Sequence, residues 1–142
     1  MVTEVEKFLS VMLPRQLAAE QALCRGDAQA RSGTWSRRDP VTIFGASVPL
    51  SRGWDEVSST ARLLASSFSD LQDYRFELVA AGASGDLAYT VGFEHKTVGV
   101  DAGTRTYTLR VTHVYRREEG VWKIAHRHGD HLTPTQEPAS AS

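Results

Sequence analysis

The sequence predicts an α+β domain in which helices from the first half pack on a curved, mainly antiparallel sheet formed by the second. Up to about residue 68, apolar residues recur at helical steps of three, four and seven. Beyond it, four segments alternate apolar and polar residues and are rich in β-branched and aromatic side chains. Helices placed ahead of a run of linked strands give an α+β arrangement. The 142 residues, 41% apolar and 23% charged, suit one domain with a real core.

Thr3 and Glu6 have the spacing of a capping box, and Val5, Leu9, Leu13, Leu17 and Cys24, flanked by Leu23, continue as one apolar stripe. Pro14 interrupts the amide ladder while the stripe keeps its phase, so one bent helix is expected. Gly26 stops it, and Asp27 can cap a short second helix over 28–33. After Asp39-Pro40, residues 41–44 read as a short strand. A loop rich in Gly, Ser and Pro leads to a third helix marked by Trp54, Val57, Ala61, Leu64 and Phe68. Strands are expected over 74–81, 87–97, 106–116 and 121–128, with a longer connection over 98–105. Residues 1–131 form the single domain, and 132–142 lack an apolar pattern and read as a disordered tail.

Composition narrows the function. Lys and Arg number 16 against 17 Asp and Glu, a net charge of -1, so the basic surplus of a nucleic-acid binder is missing. Cys24 is the only cysteine and cannot form an internal disulfide, which favours a reducing cytoplasm. The start has no basic region followed by an apolar run, so no signal peptide is expected. No apolar stretch approaches a membrane span, and no membrane partner is expected.

Alternation sorts the strand faces. Tyr107, Leu109, Val111, His113 and Tyr115 share one face, and Leu87, Tyr89, Val91, Phe93 and His95 another. Both sets are the more apolar and are expected to face the helices. His113 and His95 then become directed polar groups in an apolar wall, the make-up of a small-ligand pocket. On the last strand, apolarity alone turns Trp122 inward. Glu20 and Gln16 fall inside the stripe of the first helix. A buried carboxylate there needs an Arg or His partner from the sheet, unless the helix end lies in water at the rim.

The run Arg25-Gly26-Asp27, then Trp35-Ser36, then 39–45 (DPVTIFG) resembles the SnoaL-like and ketosteroid-isomerase-like branch of the nuclear-transport-factor-2 (NTF2-like) superfamily. So does the closing stretch 114–128, VYRREEGVWKIAHRH, which also resembles the association domain of calcium/calmodulin-dependent kinases. The resemblance spans residues 3–131. It implies a cystatin-like cone of three N-terminal helices on a curved sheet, enclosing a ligand pocket. It places His113 where the association domain has a pocket arginine and turns Ala125, Arg127 and Gly129 inward. Trp122, Ile124, His126 and His128 are then outward, in a homodimer interface.

Ketosteroid isomerase uses an Asp base with a Tyr and a protonated Asp as oxyanion hole. The first helix here has no Tyr in the corresponding place, and 109–115 contains no Asp. Candidate catalytic residues are His113, paired with Glu20 or Asp39 for acid–base chemistry near neutral pH. The plainer alternatives are a hydrogen-bonded core histidine and, for Asp39, a turn former before proline. Candidate ligand-binding residues are Trp35, Trp54, Tyr89, Phe93, His95, Tyr107 and Arg127, the last suited to a ligand with an anionic oxygen. His126 and His128 share a face near Asp130 and His131, but they belong to the closing motif, and neither metal nor other cofactor is expected. The functional expectation is a small-molecule-binding domain, whose enzymatic form is a cofactor-independent isomerase, cyclase or dehydratase. The alternative is a non-catalytic association module with a vestigial or metabolite-binding pocket.

Overall fold

Thr3 starts the first helix: its Oγ1 accepts the Glu6 N–H at 3.2 Å, satisfying one free amide of α1, Glu4–Cys24. The computed structural model describes residues 1–101 and 103–137 and carries α1 unbroken through Pro14. Gly26, at φ 96°, turns the chain out of α1 in the left-handed region that glycine tolerates. Asp27 Oδ1 then accepts from the Gln29 N–H at 2.9 Å and opens α2, Gln29–Gly33.

Two short strands follow, β1 (Thr42–Phe44) and β2 (Ser51–Arg52), the second inside the expected loop. Helix α3 (Gly53–Ser67) leads directly into β3 (Phe68–Ser84), so Phe68 opens a strand instead of closing a helix. β4 (Leu87–Val100), β5 (Gly103–Glu118) and β6 (Val121–His131) complete the meander. The connection expected over 98–105 contracts to a turn at Asp101. Of the expected tail, Gln136 and Glu137 N–H donate to Thr133 O at 2.9 and 3.1 Å. Residues 138–142 lie outside the described residues.

One curved sheet results, in the order β2-β1-β6-β5-β4-β3, antiparallel except where β1 lies beside β6. The helices pack on its inner face. One apolar cluster there gathers Phe8, Met12, Trp35, Tyr115, Trp122 and Ile124, with Phe8 edge-on to Tyr115 and Trp122 at 4.8 and 5.1 Å. Each such side chain adds about 1.5–3 kcal/mol on burial. A smaller cluster joins Cys24, Tyr74 and Val98 to Phe68, Phe76 and Tyr107.

Three face assignments differ from expectation. The buried side of α1 is Phe8, Met12, Gln16, Ala19, Glu20, Leu23 and, as expected, Cys24, whereas Leu17 is exposed. The helix is rotated toward its polar residues because the sheet supplies partners for them. On β4 the inward set is Ala88, Thr90, Gly92, Glu94, Lys96 and Val98; Tyr89, Val91, Phe93 and His95 lie on the outer face. Register requires this: Thr90 pairs with His113 and Glu94 with Leu109, both inward on β5. Apolarity misled there because the cone's interior is charged at this level.

On β6 a β-bulge decides the matter. Tyr115 pairs with Ile124 but Val114 pairs with His126, leaving Ala125 as an extra residue. Trp122 and Ile124 therefore point inward before the bulge, and Arg127 and Gly129 point inward after it. His126 and His128 face outward against Phe44, with ring centroids 5.6 and 5.5 Å away. Trp122 and Ile124 are thus core residues and cannot form the outer dimer face expected of them.

Candidate functional site

A chain of buried polar side chains links the two apolar clusters. Thr90 Oγ1 lies 3.2 Å from the Tyr115 hydroxyl, which bonds the Gln16 amide. Gln16 is next to His113, with Nε2 3.1 Å from the ring Nδ1, and His113 Nε2 is 3.2 Å from Arg127 Nη1. Arg127 grips Glu94 with both terminal nitrogens, at 2.8 and 3.1 Å, and reaches Glu20 Oε1 at 3.2 Å. The Tyr74 hydroxyl donates to Glu94 Oε2 at 2.7 Å, and Lys96 Nζ stands 3.5 Å from Glu94 Oε1. From α2, Arg31 Nε reaches Glu20 Oε2 at 3.3 Å, an ion pair without hydrogen-bond alignment. Gln16 and Glu20 are held by α1, Arg31 by α2 and the rest by β3–β6, so the network ties the helices to the sheet.

Burial shapes the charge states. Burial alone would raise the Glu94 carboxyl, yet Arg127 and then Lys96, with hydrogen bonds from Arg127 and Tyr74, hold it well below the usual carboxylate range. Burial would also lower Lys96, but Glu94 raises it on balance, so the ammonium persists. Arg31 is lowered by burial, which Glu20 opposes. His113 is held well below its ordinary value, first by burial and then by the Arg127 charge, so its imidazole is neutral at pH 7. Burial pushes the Tyr74, Tyr107 and Tyr115 hydroxyls up.

Beside this network opens a cavity of about 110 Å³. Its polar lining includes Arg31, Lys96, Arg127, Tyr107, Thr60 and Ser67 and, nearer solvent, Arg105 and His131; Leu23, Ile43, Leu64, Phe68, Val100 and Leu109 form most of its apolar wall. Glu20 and Glu94 lie behind the cations and do not line it.

Among the residues expected at the site, Tyr107 and Arg127 line the cavity. His113 and Glu20 both touch Arg127 but sit behind it, fully enclosed. Asp39 is exposed in the loop before Pro40. Trp35 is in the apolar core, and Trp54 is half-buried under Arg37, 4.8 Å from the ring centroid. Tyr89, Phe93 and His95 are on the opposite side of the sheet, where His95 pairs with Glu77 at 3.0 Å and Thr108 at 2.9 Å. Arg31, Glu94 and Lys96 were not anticipated. The last two share the inward face of β4 with Gly92, where a side chain would strike Glu77 O of the neighbouring β3 at 2.4 Å.

Among the described residues no helix is long and apolar enough to cross a membrane, and no three His, Cys, Asp or Glu are grouped to hold a metal ion. A SnoaL-like domain model matches residues 17–131. No curated protein matches the chain. Solved structures do. A candidate dehydratase of the NTF2-like family from Streptomyces avermitilis superposes with a TM-score of 0.77 at 20% identity, covering 90% of this chain and 98% of that one. A ketosteroid isomerase-like protein from Erwinia carotovora atroseptica gives 0.73 at 19% identity, covering 89% and 97%. A candidate calcium/calmodulin-dependent protein kinase type II association domain from Thiobacillus denitrificans gives 0.70 at 17%, covering 86% and 95%. At these identities the likeness establishes the fold alone. With the family model covering most of its length, the chain belongs to the SnoaL-like domain family and has the NTF2-like α+β cone.

Proposed function

We propose that this chain binds a small organic molecule through an anionic oxygen in the cavity between the helices and the sheet. The observation that carries the reading is the trio Arg31, Lys96 and Arg127 lining one small cavity, with the carboxylates that oppose them placed behind. An apolar wall with a few directed polar groups is how small-ligand sites are built. The acid–base form of the reading depends on His113, Glu20 and Asp39 and has less support. His113 and Glu20 are sealed behind Arg127, and Asp39 is on the outside. Any turnover here would draw on the cations, which stabilise negative charge developing on a substrate oxygen in a dry site.

Native mass spectrometry of gently purified protein, together with thermal melts against small organic acids and their neutral amides, tests this. The acids are expected to raise the melting temperature and the amides to leave it unchanged. A protein that carries no small molecule and responds to no carboxylate, phosphate or sulfonate refutes the reading. A second reading, association of two copies, draws on the outer face of β4, where Tyr89, Val91 and Phe93 form an apolar row with Tyr89 45% exposed.

A further inference from the structure

We infer that the ligand is a monocarboxylate with an apolar body no larger than one ring, gripped by Arg31 and Lys96. This rests on the reading of the cavity as an anion site and narrows it.

The hydrogen-bonding capacity decides which cations are free. Arg127 is the obvious anion binder by position, but Nη1 and one proton of Nη2 are already engaged. Nη2 donates to Glu94, and the two protons of Nη1 face Glu94, Glu20 and His113. Arg31 differs. It is only 4% exposed, it lines the cavity, and its Nη1 is buried without a hydrogen-bond partner. Leaving such a donor unmet is costly, so Arg31 is the lining guanidinium whose hydrogen bonding is least complete. Lys96, 5% exposed, meets Glu94 only at 3.5 Å, while the rings of Phe68, Tyr107 and Tyr74 surround its Nζ at 5.3, 5.8 and 5.9 Å. It has three protons to donate and no close acceptor among these neighbours.

Charge fixes the valence. Three buried cations, Arg31, Lys96 and Arg127, face two buried carboxylates, Glu20 and Glu94, and His113 is neutral. Three against two leaves one uncompensated positive charge in a low-dielectric interior. A ligand of charge -1 neutralises it, whereas a dianion would leave a buried negative charge in its place. Size fixes the body. The cavity is about 110 Å³, less than the roughly 150 Å³ that accommodates benzene, so a single ring is the upper limit and part of it extends to the solvent side at Arg105 and His131. With the carboxylate at Arg31 and Lys96, the remaining wall of Leu23, Ile43, Leu64, Phe68 and Leu109 accepts a short branched chain or the near edge of one ring.

Titration calorimetry at pH 7.5 with benzoate, benzamide and phenyl phosphate tests the assignment. Wild-type protein is expected to bind benzoate, and to bind the uncharged benzamide about 30-fold or more weakly. Phenyl phosphate, a dianion at this pH, is expected about tenfold weaker than benzoate. Arg31→Met and Lys96→Met should each cost benzoate about 10–100-fold. Glu20→Gln, which leaves two uncompensated positive charges, should shift the preference toward phenyl phosphate. If Arg31→Met proves unfolded by its melt, the Glu20→Gln/Arg31→Met pair removes both charges together and is expected to show the same loss. Phenyl phosphate binding as tightly as benzoate would overturn the monoanion assignment and leave the anion site standing. Unchanged benzoate affinity in a folded Arg31 variant would overturn the grip assigned to Arg31. Benzamide binding as tightly as benzoate would sink the anion reading itself, and this inference with it.

Discussion

His113 couples the buried network to pH. Its ring sits between the Gln16 amide and the Arg127 guanidinium, so a proton added to it would be enclosed beside a fixed positive charge. The folded-state pKa is therefore depressed, while the unfolded chain titrates at about 6.5. Below that value the unfolded chain binds a proton that the native state refuses, so stability falls as pH drops, by at most about 1.4 kcal/mol per pH unit. His126, lowered first by burial and then by His128, adds to the same acid arm. Glu94 also has a depressed folded-state pKa, and its contribution is present above about 4.5 and lost as pH falls further. Thermal melts from pH 8 to 4 should decline in two stages, and His113→Asn should flatten the stage that begins near pH 6.5. A variant with an unchanged upper stage would remove His113 as its main source. Glu94→Gln should cost more at neutral pH, about 3–5 kcal/mol in chemical denaturation, because it leaves Arg127 and Lys96 buried without their shared carboxylate.

At the scale of elements, β4 and β6 show what period-two alternation can and cannot convey. On β5 the apolar set and the inward set coincide, since Leu109, Val111, His113 and Tyr115 are all buried. On β4 they are opposite, because the inward residues at the middle of the cone are Glu94, satisfied by Arg127 and Tyr74, and Lys96, enclosed by the rings of Phe68, Tyr74 and Tyr107. Burial there is set by available partners on other elements, which one strand's pattern does not contain. On β6 the bulge at Ala125 changes phase within the strand, so both uniform assignments fail. Glu20 and Gln16 were legible as anomalies on α1, and Arg127 as an inward charge. Arg31 was not, because its burial follows from how α2 docks on α1. The bulge has a measurable consequence. Trp122→Ala should cost about 3–5 kcal/mol by opening the cluster around Phe8 and Tyr115. The same variant should leave the oligomeric state of the folded fraction unchanged, because the indole is core and not interface.

At the scale of the whole molecule, the sheet has two working faces with opposite character. The inner face spends its polar groups on one network and one small cavity, while the outer face of β4 and β5 presents Tyr89, Val91, Phe93 and Val114 side by side. This apolar strip is rimmed by polar contacts, the Arg110–Asp130 ion pair at 3.0 Å and the hydrogen-bonded His95 and Glu77 at 3.0 Å. An apolar centre with a charged rim is the layout of a protein interface, and a strip of this kind facing water carries a solubility penalty that a second copy would relieve. Tyr89 stands over Gly82, where an added side chain would begin only 2.6 Å from its ring, so the tyrosine is held flat and available. The expected outcome is a dimer in sedimentation velocity at micromolar concentration. Tyr89→Asp should convert it to a monomer with a melting temperature limited by the lost association, since the residue makes no contact with the inner network. The cavity opens on the other face, so benzoate affinity should be the same in the monomeric variant. A dimer that survives Tyr89→Asp would move the interface elsewhere on the sheet, and a monomeric wild type would leave the apolar strip without this explanation.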